Sequence, residues 1–244
     1  MLLSRAWQVT SVIRDPAQTQ TITSLGQSRP GHLDVHVSSL EDVKTEAQAQ
    51  SIISIASPNY IVFSAGAGGK GGPERTLAID RDACIAFLKA TLATPSVTKF
   101  LLVSYLGSRV KKAPWWSEDE WRATQDVNNG PLKNYYPAKL AADAFLTAVG
   151  NRRGTDFAAI CLRPGSLSDD DGRDRVSLGK TKARGKVARA DVAATAASLL
   201  DKQKASCWLD LLEGEEPINV AVDSCVRDKV DCVEGEDIDA MLKE

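Results

Sequence analysis

The sequence predicts the α/β class, with one doubly wound parallel sheet flanked by helices. Strand-like and helix-like stretches alternate along most of the chain, as they do where helices cover both faces of a sheet. The apolar runs at 60–63 (Tyr-Ile-Val-Phe) and 100–103 (Phe-Leu-Leu-Val) lack polar alternation, which marks strands buried on both faces. With 43% hydrophobic residues in 244, the chain can also supply a sizeable core. No Gly/Ser-rich or Pro-rich linker divides it, so residues 1–244 read as one domain.

Each element has a local reason. Residues 1–6 read as the tail of a helix entering a strand at 7–13, a stretch rich in β-branched residues that ends at the turn Arg14-Asp15-Pro16. A second strand is expected at 33–37. Ser39, with Asp42 three positions on, suggests a capping box for a helix over 39–50. The buried strand at 60–63 follows, then a helix at 76–92 and the strand at 100–103, which closes on Ser104. Residues 107–131 lapse into charges, tryptophans and turns, a length that suggests an active-site loop or a helical insertion. Regularity returns with a helix at 138–149, a strand at 157–162 closed by Arg163-Pro164-Gly165, a helix at 192–200 capped by Asp191, and a strand at 207–212. The acidic tail, 225–244, suits a short helix packed at the rim or a frayed end.

Composition narrows the function. Thirty basic residues against 32 acidic ones give no general field for nucleic acid or anionic membranes, and no run of eighteen apolar residues offers a membrane span. The expected compartment is the cytoplasm. Five dispersed cysteines without a CxxC pair argue against a disulfide scaffold or a zinc cluster, and His32 and His36 read as a solvated pair, so no metal site is expected.

Several residues could carry chemistry. Tyr135 and Lys139 are four apart at a helix start, on one face, where an ammonium can draw a phenol's pKa down and let it exchange a hydroxyl proton during hydride transfer. Pro137 between them suits the first helical turn. Ser104, at the end of a buried strand, is placed to meet a substrate oxygen in the crevice beyond the sheet's carboxyl ends. A serine that ends a strand and a tyrosine that fixes a loop is the equally weighted structural alternative. Ser64, Ala65 and Gly66 open a glycine-rich segment that lets a cofactor approach closely, although it lacks the Gly-Lys-Ser/Thr ending of a nucleoside-triphosphatase loop. Arg14 ends the early strand, where an arginine accommodates the extra phosphate of NADP; adjacent Asp15 weakens that discrimination. Lys70 and Arg75 could add positive charge. Trp115, Trp116 and Trp121 could line an apolar pocket, form a protein contact or pack a lid.

Together these residues resemble the short-chain dehydrogenase/reductase superfamily, close to fungal NAD(P)-binding proteins of the NAD-dependent epimerase/dehydratase and NmrA-like type. The segments that carry the resemblance are Val12-Ile13-Arg14-Asp15-Pro16, Phe63-Ser64-Ala65-Gly66-Ala67-Gly68, Leu102-Val103-Ser104, Tyr135 with Lys139 and Ala141-Ala142-Asp143, Leu162-Arg163-Pro164-Gly165, and Arg189-Ala190-Asp191-Val192-Ala193. The resemblance implies a Rossmann-like fold. It implies Tyr135 as acid/base, Lys139 as its partner and nicotinamide-ribose ligand, Ser104 as substrate contact, and Leu162, Arg163, Pro164 and Gly165 beside the nicotinamide. It also implies that the first strand and its glycine turn are missing, leaving the domain N-terminally incomplete. That would expose two sheet edges and withdraw the helix N-terminus that stabilises a pyrophosphate, so cofactor binding is expected to depend on whether neighbouring strands close the gap.

The expected function is NAD(P)-dependent oxidation or reduction, or epimerase-like chemistry, on a small carbonyl or alcohol, with NADP preferred over NAD. The alternative is a non-catalytic NAD(P)-sensing or protein-binding regulatory module. Association as a homodimer is left open.

Overall fold

The computed structural model describes residues 1–202 and 206–243. The α/β expectation is met, with ten strands: β1 (Gln8–Ile13), β2 (His32–Val37), β3 (Tyr60–Phe63), β4 (Lys99–Val103), β5 (Ala158–Pro164), β6 (Ser166–Ser168), β7 (Arg175–Gly179), β8 (Lys186–Ala188), β9 (Cys207–Glu213) and β10 (Glu216–Pro217). They form three sheets. The largest runs β10-β7-β9-β5-β4-β3, and its centre, β3 to β9, is parallel. A separate parallel pair joins β1 to β2, and β6 pairs with β8 in a third.

The helices are α1 (Thr19–Ser24), α2 (Glu46–Ala56), α3 (Gly72–Thr76), α4 (Cys84–Leu92), α5 (Glu118–Asn129), α6 (Tyr135–Arg153), α7 (Arg189–Asp201), α8 (Ile218–Arg227) and α9 (Ile238–Met241). Two caps differ from expectation. Asp191 does not cap α7, which starts at Arg189; its carboxylate instead accepts the N–H groups of Arg173 and Asp174. The Ser39–Asp42 arrangement makes only a single 3₁₀ turn; α2 starts later, with Thr45 and Gln48 forming the reciprocal capping box. The irregular stretch before residue 131 contains α5, whose box is Ser117 and Glu120. The helix expected at 76–92 starts earlier, as α3, and widens to π geometry over Leu77–Ala83 before α4.

Burial explains the main sheet. All seven residues of β5 and four of the five of β4 are buried, as a parallel sheet covered on both faces requires. Phe63, Phe87 and Phe100 pack together on one face, and Leu101, Ile160 and Leu209 join α7 and α8 on the other. By contrast Ile13 is the one buried residue of β1, and β2 has none. Among the described residues β1 pairs only with β2 and β3 only with β4. The two sheets meet through side chains: Trp7 packs on Tyr60 at 5.4 Å between ring centroids, and Arg5 donates to Ala197 O on α7 at 2.8 Å.

The tail is tied down rather than frayed, and its last residue, Glu244, lies outside the described residues. Buried Arg109 donates to the carbonyls of Cys232 and Glu234 and stacks against Trp115 and Trp116, while Met241 of α9 is buried. Trp115 and Trp116 both donate their indole N–H to Thr181 O, at 3.0 and 2.9 Å, so this pair packs the insertion onto the domain. No helix among the described residues is long and apolar enough to cross a membrane.

Candidate active site

A cleft of about 380 Å³ opens at the carboxyl ends of β1, β2 and β3. Arg14, Ser64, Ala65 and Gly66 line it, together with Lys70, Arg75 and Glu41. Glu41 reaches both arginines, at 3.1 Å from Arg14 and 2.7 Å from Arg75. Three cations against one carboxylate leave these walls positive, which favours a phosphate-bearing ligand. Asp15 does not counter this. Its carboxylate accepts the Ala17 N–H at 2.9 Å and caps the following turn.

The floor of the cleft is held from below by Asp80, on the π-helical segment. Its carboxylate accepts the Ala67 N–H at 3.0 Å, and a side chain at Gly66 would come within 2.8 Å of it. Burial raises the Asp80 pKa, against the opposing effects of the Ala67 bond and Lys139. Beyond Ala67, Gly68, Gly69, Gly71 and Gly72 all take positive φ, and Arg75 folds back over Gly71 to donate to Lys70 O. Gly66, Gly68 and Gly71 thus have Gly-x-Gly-x-x-Gly spacing, but α3 starts after this turn and Arg75 covers its start.

The second half of the site lies over β4. Tyr135 is the first residue of α6, with Pro137 in its first turn and Lys139 one turn on. Lys139 is buried and donates to Val103 O at 2.9 Å. Burial would lower its pKa, but Tyr135, Asp143, Cys84 and Asp80 together hold it above the ordinary lysine value. Tyr135 behaves differently from expectation. Burial raises its pKa and outweighs the lowering by Lys139. Its ring lies 5.2 Å from that of Tyr105, whose hydroxyl donates to Asn128 Oδ1 at 2.8 Å; the Asn128 amide in turn donates to Gly107 O.

Ser104 does not face the crevice. It is 3% exposed, and its hydroxyl donates to Asp143 Oδ2 at 2.7 Å. Asp143 belongs to a buried charge network: Arg163 lies 3.8 Å away and bonds Asp210 at 2.8 Å, while its other nitrogens donate to Ser108 O and Leu106 O. Arg163 also sits 4.4 Å over the Trp208 ring. The guanidinium is fully buried and committed to the core, so it is not a cofactor contact. Leu162 O and Pro164 O accept the N–H groups of Ser104 and Leu106, and Gly165 N–H donates to Leu211 O. Gly165 is needed because a Cβ there would lie 2.5 Å from Gly185 O. Leu162 and Pro164 are buried in β5, and Gly165, just after it, is half-buried.

The structure therefore divides the expected site. Arg14, Ser64, Ala65 and Gly66 share one cleft, Tyr135 and Lys139 form a pair beside it, Ser104 and Arg163 join the buried charge network, and Leu162, Pro164 and Gly165 lie along and just after β5. Sequence reasoning missed Asp80, Asp143 and Asp210. The signal was available: Asp210 interrupts the apolar run Trp-Leu-Asp-Leu-Leu, and a carboxylate in a buried strand needs a buried cation.

With this geometry in view, comparison with known proteins is informative. The NAD(P)H-binding family matches residues 1–203, and the chain belongs to it. It is 30% identical over 218 residues to UPF0659 protein C216.03 of Schizosaccharomyces pombe, covering 88% of this chain and 83% of that protein. It is 32% identical over 219 residues to an uncharacterized sugar epimerase, YhfK, of Bacillus subtilis, covering 83% and 92%. A solved Bacillus halodurans structure, provisionally assigned as an NAD-dependent epimerase/dehydratase, superposes with a TM-score of 0.66 at 23% identity, over 88% of this chain and 86% of its own. The fold is thus the Rossmann-like one of that superfamily. The residues present fit an NAD(P)-type dinucleotide, whose phosphate groups the cationic donor set of the cleft would favour.

Proposed function

We propose that this member of the NAD(P)H-binding family is an NADP-preferring oxidoreductase or epimerase-like enzyme acting on a small carbonyl or alcohol. The observation that carries the reading is a positive, glycine-floored cleft at the carboxyl ends of β1, β2 and β3, opening beside a Tyr135–Lys139 pair. Arg14 and Arg75 would hold the extra phosphate that distinguishes NADP, and Ser64 to Gly66 would let the cofactor lie close to the backbone. The bound dinucleotide would supply hydride exchange. Tyr135 would pass the hydroxyl proton, and Lys139, buried and charged beside it, would stabilise the phenolate.

Titration with NADPH and NADH tests this reading. NADPH is expected to bind more tightly, and Arg14→Glu to weaken NADPH by about tenfold or more while leaving NADH little changed. Absence of binding by either nucleotide would overturn it. Turnover on a carbonyl panel should be lost in Tyr135→Phe. A second reading, a nucleotide-sensing module without turnover, is favoured by one observation: Ser104 is turned to Asp143 and is not presented to a substrate. NADPH binding without hydride transfer across the panel would select it.

A further inference from the structure

A second groove, of about 260 Å³, opens at the carboxyl end of β9, beside Ser177 of β7 and residues 182–186. Its walls include Lys182, Arg184 and Lys186, with Leu212 and Glu213 at the carboxyl end of β9. The order of the main sheet relates the three places. The cofactor cleft lies at the end of β3, Ser104 and Tyr105 follow β4, and the groove lies beyond β5 and β9. The neighbouring contacts run without a break: Tyr135 packs on Tyr105, Leu106 and Leu212 share one apolar cluster, and a Cβ at Gly185 would press on Leu212 at 2.9 Å.

The segment that carries the cations is rigid. Thr181 O accepts both indole N–H groups, Ala183 N–H donates to Glu120 at 3.2 Å, and Arg184 donates to Ala123 O at 2.9 Å. Thr181 and Ala183 are buried while Lys182, Arg184 and Lys186 are exposed, so alternate side chains are turned outward. Lys182 and Arg184 make no ion pair with a described carboxylate. Lys186 pairs with Asp170 at 2.8 Å, and Glu213, the one acid on the groove wall, is engaged by Arg173. Glu120, whose charge acts on Lys182, is already held by the N–H groups of Ser117 and Ala183.

We propose that this groove is a subsite for an anionic group, phosphate or carboxylate, carried by the substrate whose carbonyl or alcohol meets Tyr135. The assignment to substrate rests on the function proposed above; the anion site itself does not. A pre-positioned cationic segment loses little freedom on binding, and it would select substrates with a charged end over neutral ones of the same size.

The test is an amide ¹H–¹⁵N titration with inorganic phosphate, and in parallel with acetate, at constant ionic strength. Saturable shifts are expected at the Ser177, Gly185 and Lys186 amides with one of the two anions, which identifies the group recognised. The Lys182→Ala/Lys186→Ala double variant should weaken that binding at least fivefold, and Arg14→Ala, in the other cleft, should not. Both substitutions are at exposed positions, and an unchanged spectrum elsewhere confirms the fold. Linear, unsaturated shifts, shifts confined to the Arg14 cleft, or a double variant that binds like the parent would each overturn the proposal. NADPH titration of the same samples tests the cofactor reading separately: its loss in the parent protein with phosphate binding intact would remove the assignment to substrate but keep the site.

Discussion

The two-stranded β1–β2 unit and the β3–β4–β5–β9 centre of the six-stranded sheet are both parallel, yet they are buried to very different degrees. In β5 every side chain is buried, whereas β1 and β2 together bury only Ile13. Parallel pairs normally occur covered on both faces, because the evenly spaced, slanted ladder is less stable per residue than an antiparallel one. The main sheet meets that condition and the small one does not. The lesson is functional, because the cofactor cleft spans the boundary. Val12, Arg14 and Ser38 come from one unit and Ser64 to Ala67 from the other. Glu41 bridges the two sides by pairing with both Arg14 and Arg75. The Tyr135–Lys139 pair, by contrast, stands on α6, one of the helices of the main sheet.

The largest expected effect lies at the heart of that main body. Arg163 is the cation between Asp143 and Asp210, and Arg163→Met leaves two buried carboxylates without it. Breaking such a group from one side costs about 3–5 kcal/mol. Chemical denaturation should show that loss, and adding Asp143→Asn and Asp210→Asn should recover much of it. A loss below about 1 kcal/mol would mean that the network is wet and the contrast between the units overstated.

Next comes ordinary packing. Leu101 is fully buried, and Leu101→Ala should cost about 2–5 kcal/mol, through lost transfer energy and the cavity left behind. If β1 and β2 unfold before the main sheet, their amides should exchange first while those of β4, β5 and β9 share the global rate. Uniform protection across all strands would contradict the comparison.

The alkaline limb should also report on the main body, where all five cysteines are buried. Burial is the largest cause raising the Cys84 thiol, to about 12, and the Cys225 thiol, to about 11. Both values lie above the ordinary thiol value of 9.0, so between about pH 9 and those values the unfolded chain loses protons that the folded chain keeps. Stability must then fall as pH rises, by about 1.4 kcal/mol per pH unit for each such group. Cys84→Ala should flatten the slope by one group's share; an unchanged slope would place the loss elsewhere.

Much of this architecture was legible because burial writes itself into sequence. The run at 100–103 lies in a buried strand of the main sheet, as its lack of polar alternation predicts. The run at 60–63 is also a strand there, but at the sheet edge only Phe63 is buried and Val62 is 41% exposed, so the expected cover on both faces is not met. The same patterning could not show which way Ser104 turns, because a serine closing a buried strand reads alike whether it meets a ligand or Asp143. Arg163 misled for a related reason. An arginine at a strand end looks like a ligand contact until its partners, Asp143 and Asp210, distant in sequence, are brought beside it. Capping residues were ambiguous on a smaller scale: Ser39 and Thr45 are both good N-caps, and Gln48 completing the box decided for the second.

The smallest effect is the sharpest test of the boundary itself. Val12 is 36% exposed on β1 and Val62 41% exposed on β3, the two strands whose outer edges are unpaired. A side chain already in water has little apolar burial to lose, so Val12→Thr and Val62→Thr should each change stability by no more than about 0.5 kcal/mol. Thermal or urea unfolding can resolve more than that. Should either cost about 2 kcal/mol, the valine must be covered in solution, and the edges of β1 and β3 would then be closed by pairing with each other or with a strand from another chain. Concentration dependence separates these: pairing between chains makes the loss depend on protein concentration, and closure within one chain does not. Either result would also change the cofactor cleft, because the same displacement would move Arg14 relative to Ser64 and Gly66.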